Sequence, residues 1–168
     1  MLPSCSSRPG FRLGDSRPNM SERPLSPRYR KHLRLRGYDY RENGYYFVTV
    51  CTKDKKPYFV SERAKSILQE KIDQIPRFFP GVTIDQAVVM PNHVHVILLF
   101  QSSSKSLGQV IQAFKSWVTR GWGVGQSVWQ PNYYEHVIRN EMALHKIREY
   151  IVNNPLIDQV DCDQFYTL

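Results

Sequence analysis

The apolar residues of this chain recur at two different spacings, which predict both strands and helices. Runs rich in β-branched and aromatic residues predict strands at residues 45–51, 82–90, 93–100 and 133–138. Apolar residues three and four positions apart predict helices at residues 61–75, after Ser106, and at residues 141–153. The resulting order is strand, helix, strand, strand, helix, strand, helix. This order predicts an α+β fold, a ferredoxin-like sandwich with an antiparallel central sheet and an added C-terminal helix.

Capping and turn residues set the expected ends of these elements. Ser61, Ser106 and Asn140 are typical helix N-caps, and Pro76 is expected to stop the first helix. Gly121–Gly125 is typical of a flexible connector. The turn at residues 91–92 separates the second and third strands, which are therefore expected to form a tight antiparallel pair. The third strand is apolar on both faces, which indicates a central position in the sheet.

Two histidines, His93 and His95, open the third predicted strand. Residues two positions apart in a strand point to the same face, so the two imidazoles project side by side, about 7 Å apart at the backbone. Two neutral imidazoles form half of a metal site, and the chain must supply a third group. The alternative is that the pair is structural or binds adventitious zinc.

The last predicted helix offers candidates for that third group. Tyr150 and Asn154 lie one turn apart on the same helix face, and Ala143, Ile147 and Ile151 near that face are expected to dock the helix on the sheet. If the helix docks over the histidine strand, Asn154 would offer its amide oxygen to a metal, with the Tyr150 phenol beside it. A tyrosine that attacks a phosphodiester keeps the bond energy, so the strand can be rejoined without ATP. The alternative is that Tyr150 is a core-edge residue and Asn154 a helix C-cap.

The positive charge is concentrated near the N-terminus. The formal net charge is +8, and residues 1–41 hold ten Lys and Arg against three Asp and Glu, which accounts for +7 of it. Their Pro- and Ser-rich composition predicts a basic, disordered arm at residues 1–40, before a folded domain at residues 41–168. Arginines interleaved with aromatic residues suit phosphate contacts and base stacking, so we favour nucleic acid binding over a solubilising tail. The densest cations of the arm are Arg28, Arg30, Lys31, Arg34 and Arg36.

Composition narrows the class of protein further. At 168 residues and 41% hydrophobic, the chain suffices for one domain with a real core. No apolar run approaches the ~20 residues that a transmembrane helix needs, and no signal-peptide core is present. Cys5, Cys51 and Cys162 are widely spaced, which argues against a disulfide framework or a cysteine-zinc site and favours the reducing cytoplasm.

Several segments together resemble one family. His93-Val94-His95 fits the His-hydrophobic-His signature of the HUH endonucleases. Residues 129–140 (WQPNYYEHVIRN) are similar to the segment ahead of the catalytic helix in REP-associated tyrosine transposases, and residues 149–155 (EYIVNNP) are similar to their tyrosine helix. Residues 114–116 (FKS) match another recurrent element. The likeness continues in order from about Tyr45 to Pro155, so the chain resembles the IS200-like, single-tyrosine transposases.

This resemblance implies an enzyme of bacterial insertion-sequence type that works on nucleoid DNA. Such enzymes bind hairpin-forming single-stranded DNA, such as REP-like palindromes, and cut it with a tyrosine to leave a 5′-phosphotyrosine and a free 3′-hydroxyl. By motif position, Tyr150 is the nucleophile, and His93 and His95 are ligands of Mg²⁺ or Mn²⁺. Asn154 is the implied third ligand, although many relatives have glutamine there. Relatives occur as homodimers with tyrosines acting in trans and as monomers, and both states stay open.

Other side chains are weaker candidates for a functional role. Lys115, Arg120 and His136 are candidate DNA contacts, but the two cations would also suit a solvated helix face, and His136 a buried structural position. Tyr133 and Tyr134 are rival nucleophiles that rank below the helical tyrosine, because they precede the helix and lack a polar partner one turn on. The remaining basic residues of the last helix, His145 and Lys146, are most simply a solvated face.

Three functions therefore compete. The first is a metal-dependent strand transferase that nicks single-stranded DNA with tyrosine. The second is a catalytically inactive, domesticated protein that binds DNA hairpins or represses a promoter. The third is a metal phosphoesterase that uses water as the nucleophile. The chain stops soon after the tyrosine helix, where relatives run on, so the arginine-rich arm is expected to replace some C-terminal DNA contacts.

Overall fold

Four antiparallel strands form one sheet in the part of the chain that the structure, a computed structural model, describes: residues 34–122 and 127–153. The strands are β1 (Gly44–Cys51), β2 (Val82–Met90), β3 (His93–Phe100) and β4 (Tyr134–Ile138). Their order across the sheet is β2-β3-β1-β4. The histidine strand β3 therefore lies inside the sheet, as its apolar faces predict, and a two-residue turn joins it to β2.

Helices pack on both faces of this sheet. They are α1 (Glu62–Asp73), the single turn α2 (Ile75–Phe78), α3 (Leu107–Trp122) and α4 (Glu141–Asn153). On one face, α1 and α3 bury side chains such as Leu68 and Phe114 in the main core. On the other face, α4 buries Ile147 and Ile151 against Phe47. The predicted α+β architecture, an antiparallel sheet with an added C-terminal helix, is confirmed.

The predicted caps are present and fix where the helices begin. Ser61 and Asn140 each accept a hydrogen bond from the N–H three residues on, at 3.2 and 2.8 Å. At the start of α3, Ser106 Oγ accepts from the Gln109 N–H at 3.4 Å, and Gln109 Oε1 accepts in return from the Ser106 N–H at 2.9 Å. Such caps contribute about 1 kcal/mol each. The Asn140 cap sets the start of α4 and thereby the height of its later side chains above the sheet.

Two predicted boundaries are wrong, and each has its own physical reason. Pro76 does not end the first helix: α1 stops at Asp73, and Pro76 lies in the first turn of α2, where its missing N–H has no intrahelical partner to lose. Gly121 is not part of a connector, because α3 continues through it to Trp122. The Trp122 ring packs edge-on against Phe59 with centroids 5.5 Å apart, and this contact stabilises the last residues of α3.

The folded domain includes residues slightly before the predicted boundary at residue 41. Tyr40 is buried, its ring lies 5.0 Å edge-on from that of Tyr38, and its carbonyl accepts from the Leu107 N–H at 2.9 Å. Residues 1–33, 123–126 and 154–168 lie outside the described residues, together with the predicted roles of Arg28, Arg30, Lys31 and Asn154. Among the helices of the described ranges, none has the length and apolar character needed to cross a bilayer.

Candidate active site

Two imidazole nitrogens converge at the start of β3. His93 Nε2 lies 3.1 Å from His95 Nε2, and the two rings meet edge to face with centroids 4.5 Å apart. The side chains share a face of the sheet because they are two residues apart in a strand, as the spacing predicts. Both residues are buried, with 8% and 2% of their surface exposed. The pair therefore forms a small polar centre inside an otherwise apolar layer.

Each imidazole is also held at its other nitrogen. His93 Nδ1 lies 2.6 Å from Asn92 Oδ1, and because an amide oxygen only accepts, Nδ1 donates and Nε2 keeps its lone pair. His95 Nδ1 lies 2.8 Å from the hydroxyl of Thr49, the residue paired with it on β1. A hydroxyl can donate or accept, so Thr49 supports either tautomer of His95. In one tautomer His95 donates to His93; in the other, both Nε2 lone pairs are available to a cation.

Burial keeps both imidazoles neutral at physiological pH. It lowers the pKa of His93 to about 4, with a smaller contribution from the positive charge of Lys55. It lowers the pKa of His95 to about 3, with a smaller contribution from His93. The neutral imidazole is the form that binds metals. The site therefore presents ligand-competent nitrogens without competition from protons near pH 7.

The phenol of Tyr150 reaches this pair from α4. Tyr150 Oη lies 3.2 Å from His95 Nε2, with ring centroids 5.3 Å apart. Phe47 stacks on His95 at 5.3 Å with an interplanar angle of 26°, and meets Tyr150 edge-on at 6.3 Å. The aromatic packing and the buried isoleucines of α4 hold the phenol in place. The three side chains that the sequence singles out, His93, His95 and Tyr150, thus meet within one chain.

The donor set fits a divalent ion. Two ligands at right angles on an ion at 2.0–2.1 Å lie about 3 Å from each other, and the two Nε2 atoms are 3.1 Å apart. Asn92 and Thr49 supply the outer hydrogen bonds that metal-bound histidines generally have. In the described ranges no three His, Cys, Asp or Glu side chains cluster as a ready metal site. An ion held by the two histidines would therefore need further ligands of another type, from outside those ranges, or from a substrate.

Lys115 lies on α3, which packs on the opposite face of the sheet from the histidines. Its ammonium donates to the carbonyl oxygens of Gln130, Pro131 and Asn132 at 2.9, 3.3 and 2.8 Å. A lysine has three donors, so these contacts use all of them. Burial lowers the pKa of Lys115 to about 8. The lysine fixes the segment that leads into β4, and its contact with DNA phosphate stays a prediction.

Among the described residues, the other predicted DNA-binding cations make no hydrogen bond with the imidazole pair. Arg34, Arg36 and Arg120 are exposed. The Arg34 guanidinium lies 4.6 Å from the centroid of the Tyr133 ring, in the range of a cation–π contact. Arg120 lies in the last turn of α3, on the face of the sheet opposite the histidines. The structure does not bring these residues to the site, and their binding to DNA stays a prediction.

The remaining candidates, His136 and the rival tyrosines, lie on or beside β4. His136 is half-buried, pairs with Phe47 across β1 and β4, and therefore shares the histidine face. Burial lowers the pKa of His136, with a smaller contribution from Arg139. Tyr133 is buried, and burial raises the pKa of its phenol to about 12, which disfavours a phenolate. Tyr134 is buried opposite Thr49.

Sequence reasoning missed the residues that hydrogen-bond the outer nitrogens of the two histidines and the ion pair that anchors α4. Asn92 had a weak signal, since it directly precedes His93 in a turn. Thr49 had a weak signal as the polar residue of a mostly apolar strand. The ion pair between Asp85 and Arg148, which joins β2 to α4, had no local signal, because 63 positions separate its members.

An antiparallel sheet with paired imidazoles on an inner strand and a tyrosine above them is the arrangement expected of the single-tyrosine HUH class. The chain belongs to the IS200-like transposase family, since the profile described as "Transposase IS200 like" matches residues 40–154.

Three relatives illustrate this membership. An uncharacterized protein of Haemophilus influenzae (strain ATCC 51907 / DSM 11121 / KW20 / Rd) is 34% identical, over 79% of this chain and 92% of that protein. The REP-associated tyrosine transposase of Escherichia coli (strain K12) is 26% identical, over 70% of this chain and 69% of that protein. A solved structure of a REP-associated tyrosine transposase bound to a REP hairpin superposes with a TM-score of 0.62 at 26% identity, over 73% of this chain and 72% of that one.

Proposed function

We propose that this protein is a divalent-metal-dependent DNA strand transferase that nicks and rejoins single-stranded DNA at hairpin sites through a 5′-phosphotyrosine. The main support is the contact of Tyr150 Oη with His95 Nε2 at 3.2 Å, beside the 3.1 Å approach of the two histidines. A nucleophile and the ligands of a metal that act on one phosphate must be near neighbours, as these three side chains are. Membership in the transposase family supports the same reaction class.

In the proposed reaction, Tyr150 Oη attacks the phosphorus of a phosphodiester. A bond from Oη to phosphorus forms while the bond from phosphorus to the 3′ oxygen breaks. The phenol loses one proton and the departing 3′ oxygen gains one, so charge and protons balance. One phosphodiester replaces another, and a second 3′-hydroxyl can reverse the step without ATP.

Mg²⁺ or Mn²⁺ is the proposed cofactor, held by His93 and His95 with Asn154 as the third protein ligand. When bound, such an ion neutralises phosphate charge and stabilises the transition state. A phenol with a pKa of about 10 is a poor nucleophile without that help. Hard cations prefer oxygen, so two imidazoles bind them weakly, and the DNA phosphate is expected to contribute ligands.

Hairpin DNA is the proposed substrate. The relative of known structure was solved with a REP hairpin and shares 26% of aligned residues with this chain. The net charge of +8 favours binding to a polyanion, most of it from residues 1–41. Such binding is expected to weaken steeply as salt concentration increases.

A covalent-adduct assay tests the proposal. The full chain is incubated with Mn²⁺ and a single-stranded oligonucleotide that carries a palindrome from the DNA flanking the gene, and the products are separated on a denaturing gel. We expect an adduct with the wild type and none with Tyr150→Phe, His95→Ala or added EDTA. Tyr58→Phe changes a half-buried tyrosine that packs against the core on the other face; it is the matched control and should form the adduct.

Each of the other outcomes would contradict this proposal in a different way. Adduct formation by Tyr150→Phe would refute the nucleophile assignment. Hairpin binding without adduct under any divalent ion would identify an inactive hairpin-binding protein. Cleavage without adduct, kept in Tyr150→Phe and lost in His95→Ala, would identify a phosphoesterase that uses water.

The same assay distinguishes cis from trans chemistry. Tyr150 lies beside the histidines of its own chain. This supports reaction in cis, in which a monomer contains the complete active site. A mixture of the Tyr150→Phe and His95→Ala variants should then stay inactive. Recovered adduct in the mixture would show that a homodimer exchanges its tyrosine helices.

A further inference from the structure

A cavity of about 360 Å³ lies between β4 and the first half of α4. Phe47 forms one wall of it and also stacks on His95 with ring centroids 5.3 Å apart. The same ring meets Tyr150 edge-on. The cavity and the candidate active site are therefore neighbours that share one aromatic wall.

The cavity has an apolar interior and a cationic rim. Ala143 and Ile147 line the interior beside Phe47, while Arg139 and Lys146 are exposed at the rim. No carboxylate lines it in the part of the chain that the structure describes. Apolar walls beneath two cationic side chains suit a ligand with an apolar face and an anionic group.

We propose that this cavity binds one unpaired nucleobase of the DNA substrate, and that Arg139 and Lys146 bind the phosphate attached to that nucleotide. The inference rests on the proposed function, because it names where the strand beside the cleaved phosphate is held. A base has an apolar face and a polar edge. Half-buried His136, which also lines the cavity, can donate to or accept from that edge.

The position of the cavity beside the candidate active site suits a nucleobase of the bound strand. The bases of a single strand lack pairing partners, and their apolar faces are stabilised when they lie against an apolar or aromatic protein surface. Proteins that bind single strands supply such a surface together with cations that follow the backbone. Here the surface lies one ring away from His95, so a base seated in it would direct its own strand toward Tyr150.

A second cavity, of about 210 Å³, lies on the other side of β4 and is the weaker candidate. It shares His136 and Arg139 with the first but is also lined by the buried Glu135. A carboxylate there repels phosphate. We therefore assign the nucleotide to the larger cavity.

Nucleotide titration of the full chain tests the assignment without any cleavage. Each deoxynucleoside 5′-monophosphate is added in the millimolar range, without metal, while amide signals are followed by two-dimensional NMR. We expect saturable shifts at Val137, Ala143 and Ile147, larger with the nucleotide than with thymidine or inorganic phosphate alone. Shifts elsewhere only, or equal shifts with inorganic phosphate, would overturn the assignment.

Two variants extend the test to DNA. Ala143→Phe fills the cavity, and Arg139→Ala/Lys146→Ala removes the rim charges. Each should weaken binding of the single-stranded substrate roughly tenfold, the loss expected for one base contact. The matched control Arg63→Ala/Lys65→Ala lowers the net charge equally on α1, which packs on the other face, and should lose much less. A thermal melt confirms folding of each variant.

The outcomes separate this inference from the proposed function. Nucleotide shifts in the cavity with no covalent adduct would leave the binding site standing and refute the strand-transfer chemistry. A normal adduct and normal DNA affinity in both cavity variants would refute the site and leave the chemistry standing. Equal losses in the rim variant and the α1 control would show a general charge effect and overturn the assignment.

Discussion

Arg148 donates two hydrogen bonds to Asp85, from Nε at 2.9 Å and from Nη2 at 2.6 Å. The pair joins α4, two residues before Tyr150, to the bulge of edge strand β2. The Arg148 guanidinium also lies 5.8 Å from the centroid of the Tyr45 ring. A bidentate pair fixes orientation as well as distance. It therefore restrains the rotation of the helix that presents Tyr150 to the histidines.

We expect Arg148→Ala to lower the rate of adduct formation about tenfold, because a small misplacement of a reacting group is costly. The free energy of unfolding should fall by only about 1 kcal/mol, since the pair is partly exposed. Single-turnover kinetics with saturating hairpin DNA and a denaturant titration measure the two effects. Arg148→Lys keeps the charge but loses the planar guanidinium that donates two hydrogen bonds. Its rate of adduct formation should lie between those of the wild type and Arg148→Ala.

The exchange variant Asp85→Arg/Arg148→Asp should recover part of the rate if positioning is the cause. Arg77→Ala, an exposed arginine on α2, is the control and should change neither quantity. If Arg148→Ala weakened hairpin binding as much as the rate, Arg148 would contact DNA instead.

Local patterns were sufficient to predict the architecture and the position of the main groups. Strand periodicity places His93 and His95 on one face, and the apolar stripe of α4 directs Tyr150 toward them. These inferences need only short-range geometry. They succeed because each of the longer helices has one apolar face to bury and the sheet offers only two faces.

The rest of the site depends on pairings that sequence spacing does not encode. Thr49 supports His95 because the register of β1 on β3 sets them opposite each other, across 46 positions. The bulge of β2 places Asp85 under Arg148. The helix end at Trp122 was missed for the same reason, because a distant ring, Phe59, stabilises it.

Thr49→Val should weaken Mn²⁺ binding while keeping the fold. Valine keeps the branched shape but removes the hydroxyl that lies 2.8 Å from His95 Nδ1. Loss of such an outer hydrogen bond generally costs 10- to 100-fold in metal affinity, so the Mn²⁺ concentration for half-maximal adduct should rise by about that factor. Thr49→Ser should restore the wild-type value, and Thr83→Val, an exposed change on β2, should leave it unchanged. An unchanged Mn²⁺ requirement in Thr49→Val would contradict the role of Thr49.

Glu135→Gln should change how stability depends on pH. Burial raises the pKa of Glu135 above its ordinary value of 4.5, and Tyr40 and Arg34 offset part of that shift. Between the two values the folded state holds a proton that the unfolded state has lost, so the free energy of unfolding falls as pH rises through this window. In Glu135→Gln this fall should be smaller and stability at pH 7 greater, as urea titrations across pH measure. Glu42→Gln, an exposed change, should follow the wild-type curve, and a wild-type curve for Glu135→Gln would refute the argument.

Lys115→Met should destabilise the protein rather than act on DNA. Methionine keeps the length of the side chain but leaves three carbonyl oxygens, those of residues 130–132, without their lysine donor. We expect the free energy of unfolding to fall by about 1–3 kcal/mol, seen as a lower urea midpoint with an unchanged slope. Amide exchange in β4, which follows this segment, should speed up. The exposed change Lys105→Met should leave stability unchanged. If Lys115 instead bound a DNA phosphate, Lys115→Met would keep the urea midpoint and reduce the salt slope of hairpin binding by about one.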